Sequence, residues 1–512
     1  MILEYKNRLK YKIPFIILGL IGTSVVFYLV SLHGAGISPD SVYYISVARH
    51  IADDTGFVGY DGYYCVLQPP LYPLLLAAIK TILLMDPLLS SGYINSILFG
   101  LIVYFSGLFL LKHLNSFTLV ILGTISILLS FVFIQISIMA LSESLFILLV
   151  LLYLYYFEKY KVRGNITSLI LLSVTTALAC LTRYIGVIII LTGLISISLQ
   201  KNNLFKEKLR HTIIFIFITC MPIGLWVTRN IFLSGTLVGQ RADSSYTLFE
   251  NIRFLFNTIL QWYLPMQITG QQLIFAFLTI ATSLILVLIK WGGKIWIVLK
   301  EIYPGLIFIL LYAGMIVISS TTTAYDHIGN RLLSPIYIPV FFIFCIMCDK
   351  ILKWLSKYFN KNLVTIFFAA GIIIWMIYPV GKTVYIINDY IRSSGFGYNS
   401  DYWRKREIIK YLIDHEELRN KYIFYSNVPE AAYILANIEA RWSPAKTLYN
   451  STRLINVDSN FQEIWKGKDK VCLVWFDKVD RQFLYSIDEL QKSTHMIKMA
   501  QFNDGTVYTI TK

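Results

Sequence analysis

The sequence predicts an α-helical polytopic membrane protein with a small α/β soluble domain at its C-terminus. Hydrophobic residues make up 56% of the 512 residues and charged residues only 15%. Uncharged apolar runs long enough to cross a hydrocarbon core of about 30 Å recur as far as residue 380. From residue 381 onward the charges are dispersed. These observations divide the chain into a membrane region, 1–380, and a soluble domain, 381–512.

The apolar runs define about eleven candidate transmembrane helices. They are 13–33, 91–111, 117–138, 142–157, 166–182, 184–200, 211–232, 268–289, 303–320, 332–348 and 363–380. The first run is too long for a signal peptide and lacks an Ala-x-Ala cleavage site. We therefore expect it to be retained as the first helix of the membrane region.

One further apolar stretch, 66–84, decides the topology. Its uncharged core is only 14 residues long and contains three prolines. If this stretch spans, most Lys and Arg residues of the later loops lie outside, against the positive-inside rule. We therefore expect 66–84 to lie at the outer interface, within an outer loop 34–90 that carries juxtamembrane helices. The N-terminus is then cytoplasmic and 381–512 is extracytoplasmic, in a multi-pass protein of the cell membrane.

Charge and cysteine usage exclude some classes of protein. The net charge is +15, but Lys and Arg occur in short clusters between apolar runs, which is typical of membrane topology and not of nucleic-acid binding. Four of the six cysteines lie inside apolar runs, and only Cys65 and Cys472 lie in polar segments. Their pairing is left open, and no metal-ligand spacing or disulfide framework appears. No cofactor is indicated, although a divalent metal is not excluded.

Asp40 stands at the predicted start of an amphipathic helix, directly after the first span. Ser38 can cap this helix, Pro39 suits its first position, and the helix macrodipole favours an ionised Asp40. Four apolar residues would form one stripe for a helix that lies at the interface: Val42, Ile45, Ala48 and Ala52. By itself, this pattern fits either a functional carboxylate or an ordinary acid at a helix start.

Other ionisable residues fall at the predicted outer face, where they are candidates for function because they are costly near the membrane. The main ones are Glu143, Arg183 and Arg331. The two arginines either bind an anion or extend to lipid headgroups. Secondary candidates are Asp326, His327 and Arg241. Asp326 with His327 is either a relay or metal pair or an ordinary polar loop.

Five segments, in this order, resemble the GT-C glycosyltransferases that use polyprenyl-phosphate sugars, in the group of protein O-mannosyltransferases and lipid A aminoarabinose transferases. The segments are SPDSVYYISVARHIADDTGF, QPPLYPLLLAAI, MALSESLFILLVLLYLYYF, LACLTRYIGVIIIL and NRLLSPIYIPVFF. The resemblance implies that Asp40 is the catalytic Asp, Glu143 the second acidic residue of the outer face, and 66–84 the juxtamembrane helix. Two positions depart from it: Ser41 stands where many relatives have an acid, and Gln68 where many have His or Lys.

This chemistry needs only one carboxylate base. A sugar on a lipid phosphate already has a good leaving group, unlike the sugar cleaved by a glycosidase. Asp40 would take the proton of an acceptor hydroxyl that attacks the anomeric carbon, with inversion. Arg183 and Arg331 would bind the lipid phosphate. Glu143 would orient the acceptor, help bind a divalent cation, or pair with an arginine. Further substrate-binding candidates lie in the first outer loop: Gln68 and Tyr44. Tyr44 would stack on a sugar or anchor the loop at the interface.

The soluble domain is predicted to mix helices and strands. Helices are expected at 406–419 and 429–438, and strands at 421–426, at 471–477 and on both sides of an Asn-Asp-Gly turn at 503–505. The domain contains no phosphate-binding loop or catalytic triad pattern. We expect it to recognise the acceptor or to cover the site.

The sequence as a whole predicts a membrane glycosyltransferase. It would move a sugar from a polyprenyl-phosphate donor to a protein, lipid or glycan acceptor on the extracytoplasmic face, with membrane lipids as its surroundings. The alternatives are a multi-pass transporter and a flippase of lipid-linked glycans that transfers no sugar. A transporter usually shows internal repeats and ionisable groups near the middle of the membrane, whereas the unusual residues of this chain fall at one face.

Overall fold

The computed structural model of the chain describes residues 9–200, 205–267, 269–272, 302–447, 470–479 and 481–510. Helices make up most of this part of the chain, and a five-stranded sheet lies near its C-terminus. The predicted fold class, a helical multi-pass membrane protein with a small C-terminal α/β unit, is confirmed.

The helices of the membrane region are α1 (Ile13–His33), α2 (Pro39–Ala52), α3 (Leu71–Leu83), α4 (Pro87–His113), α5 (Phe117–Leu128), α6 (Phe131–Ser137), α7 (Glu143–Arg163), α8 (Ile166–Thr182), α9 (Val187–Ser198), α10 (Phe205–Ser234), α11 (Leu248–Tyr263), α12 (Ile302–Thr322), α13 (Asn330–Leu355) and α14 (Lys361–Arg392). Short 3₁₀ turns precede α1 and α9, at Leu9–Tyr11 and Tyr184–Gly186.

Within the described ranges, six helices are long and apolar enough to cross a membrane: α1, α4, α10, α12, α13 and α14. The predicted span 117–138 is instead two helices, α5 and α6, bent by 44° at a short break, and this pair would make a seventh span. The predicted span 268–289 falls almost entirely outside the described residues. The expected count of about eleven is therefore not confirmed, because an uncharged run in the sequence does not show where a helix breaks.

Helix α3 occupies most of the stretch that decided the predicted topology. It has 13 residues and follows two prolines, Pro69 and Pro70. At about 1.5 Å per residue it measures roughly 20 Å, which is shorter than a hydrocarbon core of about 30 Å. It packs against α2 and α4, so both helices of the segment 34–90 belong to one packed layer.

Helix α14 continues past the predicted domain boundary at residue 380. Residues 381–392 remain helical, and Tyr390 in this extension is fully buried. The Tyr390 hydroxyl donates to the carbonyl of Gly34 and lies 3.3 Å from that of Leu29, at the end of α1. The first charges after an apolar run mark the end of a span but do not end the helix, so the boundary predicted from charge falls inside α14.

The C-terminal unit contains helices α15 (Asp401–Arg404), α16 (Glu407–Asp414), α17 (Pro429–Ala436) and α18 (Ile487–Ser493), and strands β1 (Ile423–Ser426), β2 (Ala440–Trp442), β3 (Val471–Phe476), β4 (Met496–Phe502) and β5 (Gly505–Ile510). The strand order is β2-β1-β3-β5-β4, with β1 parallel to β2 and β3 and the remaining pairs antiparallel. The predicted helices and strands are confirmed. Sequence analysis did not predict α15, α18 or β2, which are short.

Helix α2 lies between the membrane helices and the C-terminal unit. Val42 and Ile45 are fully buried in a cluster with C-terminal residues such as Val428, whereas Tyr44 and Ala48 belong to the core of the membrane region. The first half of the predicted apolar stripe of α2 is therefore buried against the C-terminal unit and not against lipid. The periodicity showed correctly which residues are buried, but it does not reveal the surface that buries them.

Candidate active site

Three helices begin at the same place in the fold. Asp40 is the second residue of α2, Glu143 the first of α7, and Arg331 the second of α13. Arg183, which follows the last residue of α8, reaches the same place from a helix end. Each helix N-terminus carries a partial positive charge of roughly half an elementary charge. The fold therefore directs three positive helix ends at these four side chains.

The start of α2 follows the local sequence closely. Ser38 is the N-cap, and its hydroxyl accepts a hydrogen bond from the Ser41 amide at 3.3 Å. The Ser41 hydroxyl in turn accepts from the Ser38 amide at 3.0 Å, which completes a capping box, and Pro39 takes the first helical position. The predicted helix start at Asp40 is confirmed. Ser41 has a structural role here and is fully buried.

Four charged side chains form a continuous network, which we call the Asp40 quartet: Asp40, Glu143, Arg183 and Arg331. Arg331 bridges the two carboxylates, because its Nε donates to Glu143 Oε1 at 2.7 Å and its Nη2 contacts Asp40 Oδ2. Arg183 Nη1 lies 2.5 Å from the same Glu143 oxygen. All four main candidates from the sequence are thus brought together.

Exposure differs strongly across the quartet. The side chain of Glu143 is 0% exposed and that of Arg183 is 16% exposed, whereas Asp40 and Arg331 are 37% and 34% exposed. Glu143 and Arg183 therefore form the buried part of the network. Asp40 and Arg331 form its accessible end, where a ligand can reach a carboxylate and a guanidinium side by side.

Two buried oxygen atoms of the site have no hydrogen-bond partner among the described residues: Glu143 Oε2 and Gln68 Oε1. Gln68 itself belongs to the site, because its Nε2 lies 3.4 Å from Asp40 Oδ1. Buried acceptors are normally hydrogen-bonded. Gln68 Oε1, beside Asp40, is accordingly suited to accept a hydrogen bond from a hydroxyl or amide group of a ligand, whereas Glu143 Oε2 lies in the buried part of the network.

Tyr44 lies behind the quartet and not on an open surface. Only 4% of the residue is exposed, and burial raises the pKa of its hydroxyl, which therefore stays protonated at neutral pH. The hydroxyl is 3.0 Å from the Ser142 hydroxyl, and the ring packs edge-on against Tyr72. Tyr44 thus connects α2 to the residue before Glu143, and in this structure it offers no face for stacking on a sugar.

The secondary candidates lie around a different loop. The guanidinium of Arg241 is 5.1 Å from the ring of Tyr325, and the ring of His327 packs edge-on against Phe254 at 4.4 Å. No contact described for Arg241, Asp326 or His327 joins them to the quartet. In the part of the chain that the structure describes, no group of three or more potential metal ligands occurs.

The two cysteines in polar segments do not form a disulfide. Cys65 and Cys472 are both free and fully buried. Cys65 lies in the loop before α3, where its carbonyl accepts a hydrogen bond from Arg229 at 2.7 Å, and Cys472 lies on the central strand β3. Burial raises the pKa of both thiols to about 12, so both are protonated at neutral pH.

Sequence analysis missed one residue that supports the site and one ion pair at the other end of α2. Asn95 is fully buried in the first third of α4, and its amide binds the loop that precedes Glu143. A lone asparagine inside a long apolar run is a visible signal, because a buried polar group needs a partner. Arg49, at the other end of α2, donates two hydrogen bonds of 2.9 Å to Asp86. Nothing in the sequence shows that these two residues meet.

Comparison with known proteins shows the fold. No protein-family model matches the sequence, and no curated protein is similar to it in sequence. Among solved structures, ArnT from Cupriavidus metallidurans bound to undecaprenyl phosphate superimposes with a TM-score of 0.62 at 12% identity, over 96% of this chain and 97% of that chain. The fold is GT-C-like.

Two further solved structures support this assignment. The apo state of the same Cupriavidus metallidurans ArnT gives a TM-score of 0.59 at 11% identity, again over 96% of this chain and 97% of that chain. The Archaeoglobus fulgidus oligosaccharyltransferase, in a complex with Zn and sulfate, gives 0.51 at 14% identity over 90% of this chain and 68% of that chain. The GT-C-like fold therefore extends over almost the whole length of the chain, including the C-terminal unit.

Proposed function

We propose that the chain is a membrane glycosyltransferase that moves a sugar from a polyprenyl-phosphate donor to an acceptor hydroxyl, with Asp40 as the base. The observation that carries the proposal is the guanidinium of Arg331, which contacts Asp40 and Glu143 at the meeting point of three helix N-termini. This arrangement supports the proposal, because a carboxylate that can act as a base lies next to a guanidinium that can bind phosphate.

The electrostatics of the quartet favour an anionic ligand. Its two arginines and two carboxylates cancel in formal charge, but the positive N-termini of α2, α7 and α13 outnumber the negative C-terminus of α8. A guanidinium has five N–H donors, and the contacts of Arg331 with Glu143 and Asp40 engage only two of them. The others are suited to bind a phosphate in a bidentate manner at the accessible end.

The reaction follows from this geometry. Asp40 removes the proton from the acceptor hydroxyl as its oxygen attacks the anomeric carbon. The bond between that carbon and the phosphate oxygen breaks, and the lipid phosphate leaves with the electron pair. Arg331 stabilises the negative charge that develops on the leaving phosphate. Because attack and departure occur on opposite faces of the sugar, the anomeric configuration inverts.

The fold supports a lipid-linked donor. ArnT, whose structure spans almost the same length, was crystallised with undecaprenyl phosphate. The charge bias of the loops supports an extracytoplasmic site, because the starts of α2, α7 and α13 then face outward. Since the polyprenyl chain stays in the bilayer, a base at the start of a helix beside the membrane is within reach of the phosphate.

The proposal is tested by transfer with the purified protein in lipid nanodiscs. A panel of polyprenyl-phosphate sugars is supplied with protein, lipid and glycan acceptors, and the anomeric configuration of the product is determined by NMR. We expect transfer with inversion from at least one donor. Binding of polyprenyl phosphate without transfer from any donor would contradict the proposal and favour a flippase or a transporter.

A further inference from the structure

Two short loops lead into the helices that carry the carboxylates. Residues 34–38, here the α1–α2 loop, precede Asp40, and residues 138–142, the α6–α7 loop, precede Glu143. Each carboxylate is in the first turn of its helix. The positions of the two loops therefore set the position of one carboxylate relative to the other.

The two loops are hydrogen-bonded to each other. The Gly36 amide donates to the Ile138 carbonyl at 2.8 Å, and the Ala140 amide donates to the Gly36 carbonyl at 2.9 Å. The pairing is that of a short parallel β-bridge between Gly36 and Met139. It is close: a Cβ atom added to Gly36 would lie 2.3 Å from the sulfur of Met139. The bridge fixes the register of the two loops.

An asparagine in the membrane core holds the α6–α7 loop. Asn95 Nδ2 donates to the carbonyls of Met139 at 2.6 Å and Leu141 at 3.2 Å, and Asn95 Oδ1 accepts from the Tyr72 hydroxyl at 3.5 Å. Asn95 is fully buried, so these hydrogen bonds also offset the cost of burying its amide.

A second asparagine, at the start of the C-terminal unit, holds the α1–α2 loop. Asn399 Nδ2 donates to the carbonyls of His33 at 2.6 Å and Ala35 at 2.9 Å. The same segment pairs with the loop through its backbone, because the Ile37 amide donates to Phe396 and the Tyr398 amide donates to Ile37, at 3.0 and 2.9 Å. The C-terminal unit therefore contacts the chain within three residues of Asp40.

We propose that Asn399 and Asn95 are positioning residues that hold Asp40 and Glu143 in register for sugar transfer. The proposal rests on the proposed function. Through Asn399, the C-terminal unit is part of the active site, although none of its residues touches the quartet in the described contacts. A ligand that shifts residues 393–399 therefore changes the position of the base.

The test compares Asn399→Ala with Asn360→Ala as a matched control. Asn360 caps the start of α14, at the end far from Asn399, where its side chain accepts from the Leu363 amide, so its loss removes an asparagine hydrogen bond away from the two loops. We expect Asn399→Ala to lower kcat by about 10- to 100-fold, since a shift of about 1 Å at a reacting group can cost about 10²-fold. Donor affinity should not change, and the control should transfer at the wild-type rate.

A second experiment, in the Asp40→Asn background, separates a positioning role of Asn399 from a role in general stability. If Asn399 acts through Asp40, adding Asn399→Ala to Asp40→Asn should not lower the residual transfer further. Asn399→Ser, which keeps one hydrogen-bond donor, should recover part of kcat. An equal loss in both backgrounds, or wild-type kcat in Asn399→Ala, would overturn the proposal.

Hydrogen exchange tests the coupling without any assay of transfer. In the wild type, the amides of Gly36, Ile37 and Ala140 should be protected, and Asn399→Ala should reduce the protection of all three together. Protection of Ala140 that does not change when that of Gly36 and Ile37 is lost would overturn the proposal. If the wild type transfers no sugar but this coupled protection is present, the proposed function fails and the coupling of the loops still holds.

Discussion

Replacing Arg331 by Ala removes the group that joins the two carboxylates. Bidentate binding of a donor phosphate by Arg331 would involve two charge-assisted hydrogen bonds, each contributing about 1.5–3 kcal/mol. Because the Arg331 side chain is 34% exposed, we use the lower value, which gives about 3 kcal/mol in total. Each 1.4 kcal/mol corresponds to a factor of ten, so donor affinity should fall by roughly 100-fold.

The same substitution should destabilise the fold less than the loss of both guanidinium partners of Glu143 would. Glu143 is fully buried and loses one of its two guanidinium partners, but Arg183 remains 2.5 Å from its carboxylate. The carboxylate is therefore not left as an unpaired buried charge, which would be far more costly. We expect the free energy of unfolding to fall by about 1.5–3 kcal/mol, the contribution of the charge-assisted hydrogen bond to Glu143, because the contact with the partly exposed Asp40 adds little.

The assay is titration of polyprenyl phosphate into protein in nanodiscs, followed by measurement of the KM for the acceptor. Arg49→Lys is the matched control, since Arg49 also binds a carboxylate with two hydrogen bonds but lies at the other end of α2. The donor affinity of Arg49→Lys should equal that of the wild type. An unchanged donor affinity in Arg331→Ala, or a loss confined to the acceptor, would refute the assignment of Arg331 to the phosphate.

Two further predictions concern the C-terminal unit. Burial raises the pKa of Glu430 from 4.5 to about 7, even though Arg481 lies 3.6 Å away, so the folded protein should lose about 3 kcal/mol of stability as the pH rises from about 4.5 to 7. Thermal unfolding of Glu430→Gln should lack this loss, and an equal loss in the variant would contradict the pKa assignment. The second prediction is topological: an impermeant maleimide should label Lys410→Cys from outside and Lys357→Cys from the cytoplasm, and labelling of Lys410→Cys from the cytoplasm alone would overturn the topology.

The start of α2 could be predicted because helix capping is local. Ser38, Pro39 and Asp40 are neighbours in the chain, and their preferences for the cap, the first position and the first turn act without help from distant residues. The strands around the Asn-Asp-Gly turn were predictable for the same reason.

The partners within the quartet could not be predicted from local pattern. Arg331 lies 188 residues from Glu143 and 291 residues from Asp40. Charge bias could place all three residues at the outer face, and the family resemblance could assign two of them to a site. Neither observation shows that one guanidinium bridges both carboxylates, because this depends on how α2, α7 and α13 pack.

The surfaces that bury α2 could not be predicted from the sequence, for a related reason. An apolar stripe has the same periodicity whether it is buried by membrane lipid, by other helices or by a soluble domain. Val42 and Ile45 pack against the C-terminal unit, whose chain lies hundreds of residues further on. The contact of Asn399 with the α1–α2 loop is equally non-local, so the role of the C-terminal unit at the site becomes visible only in the structure.

The central claim, that Asp40 is the base, is tested most directly by the rate of transfer in Asp40→Asn. Asn keeps the size of the side chain and the start of α2 intact, and Arg331 retains its hydrogen bond with Glu143. Transfer from a polyprenyl-phosphate sugar should fall by at least about 10²-fold, as is typical when a general base is lost. Asp86→Asn, which changes an acid at the cap of α4, should remain near the wild-type rate. Transfer by Asp40→Asn at the wild-type rate would contradict the account.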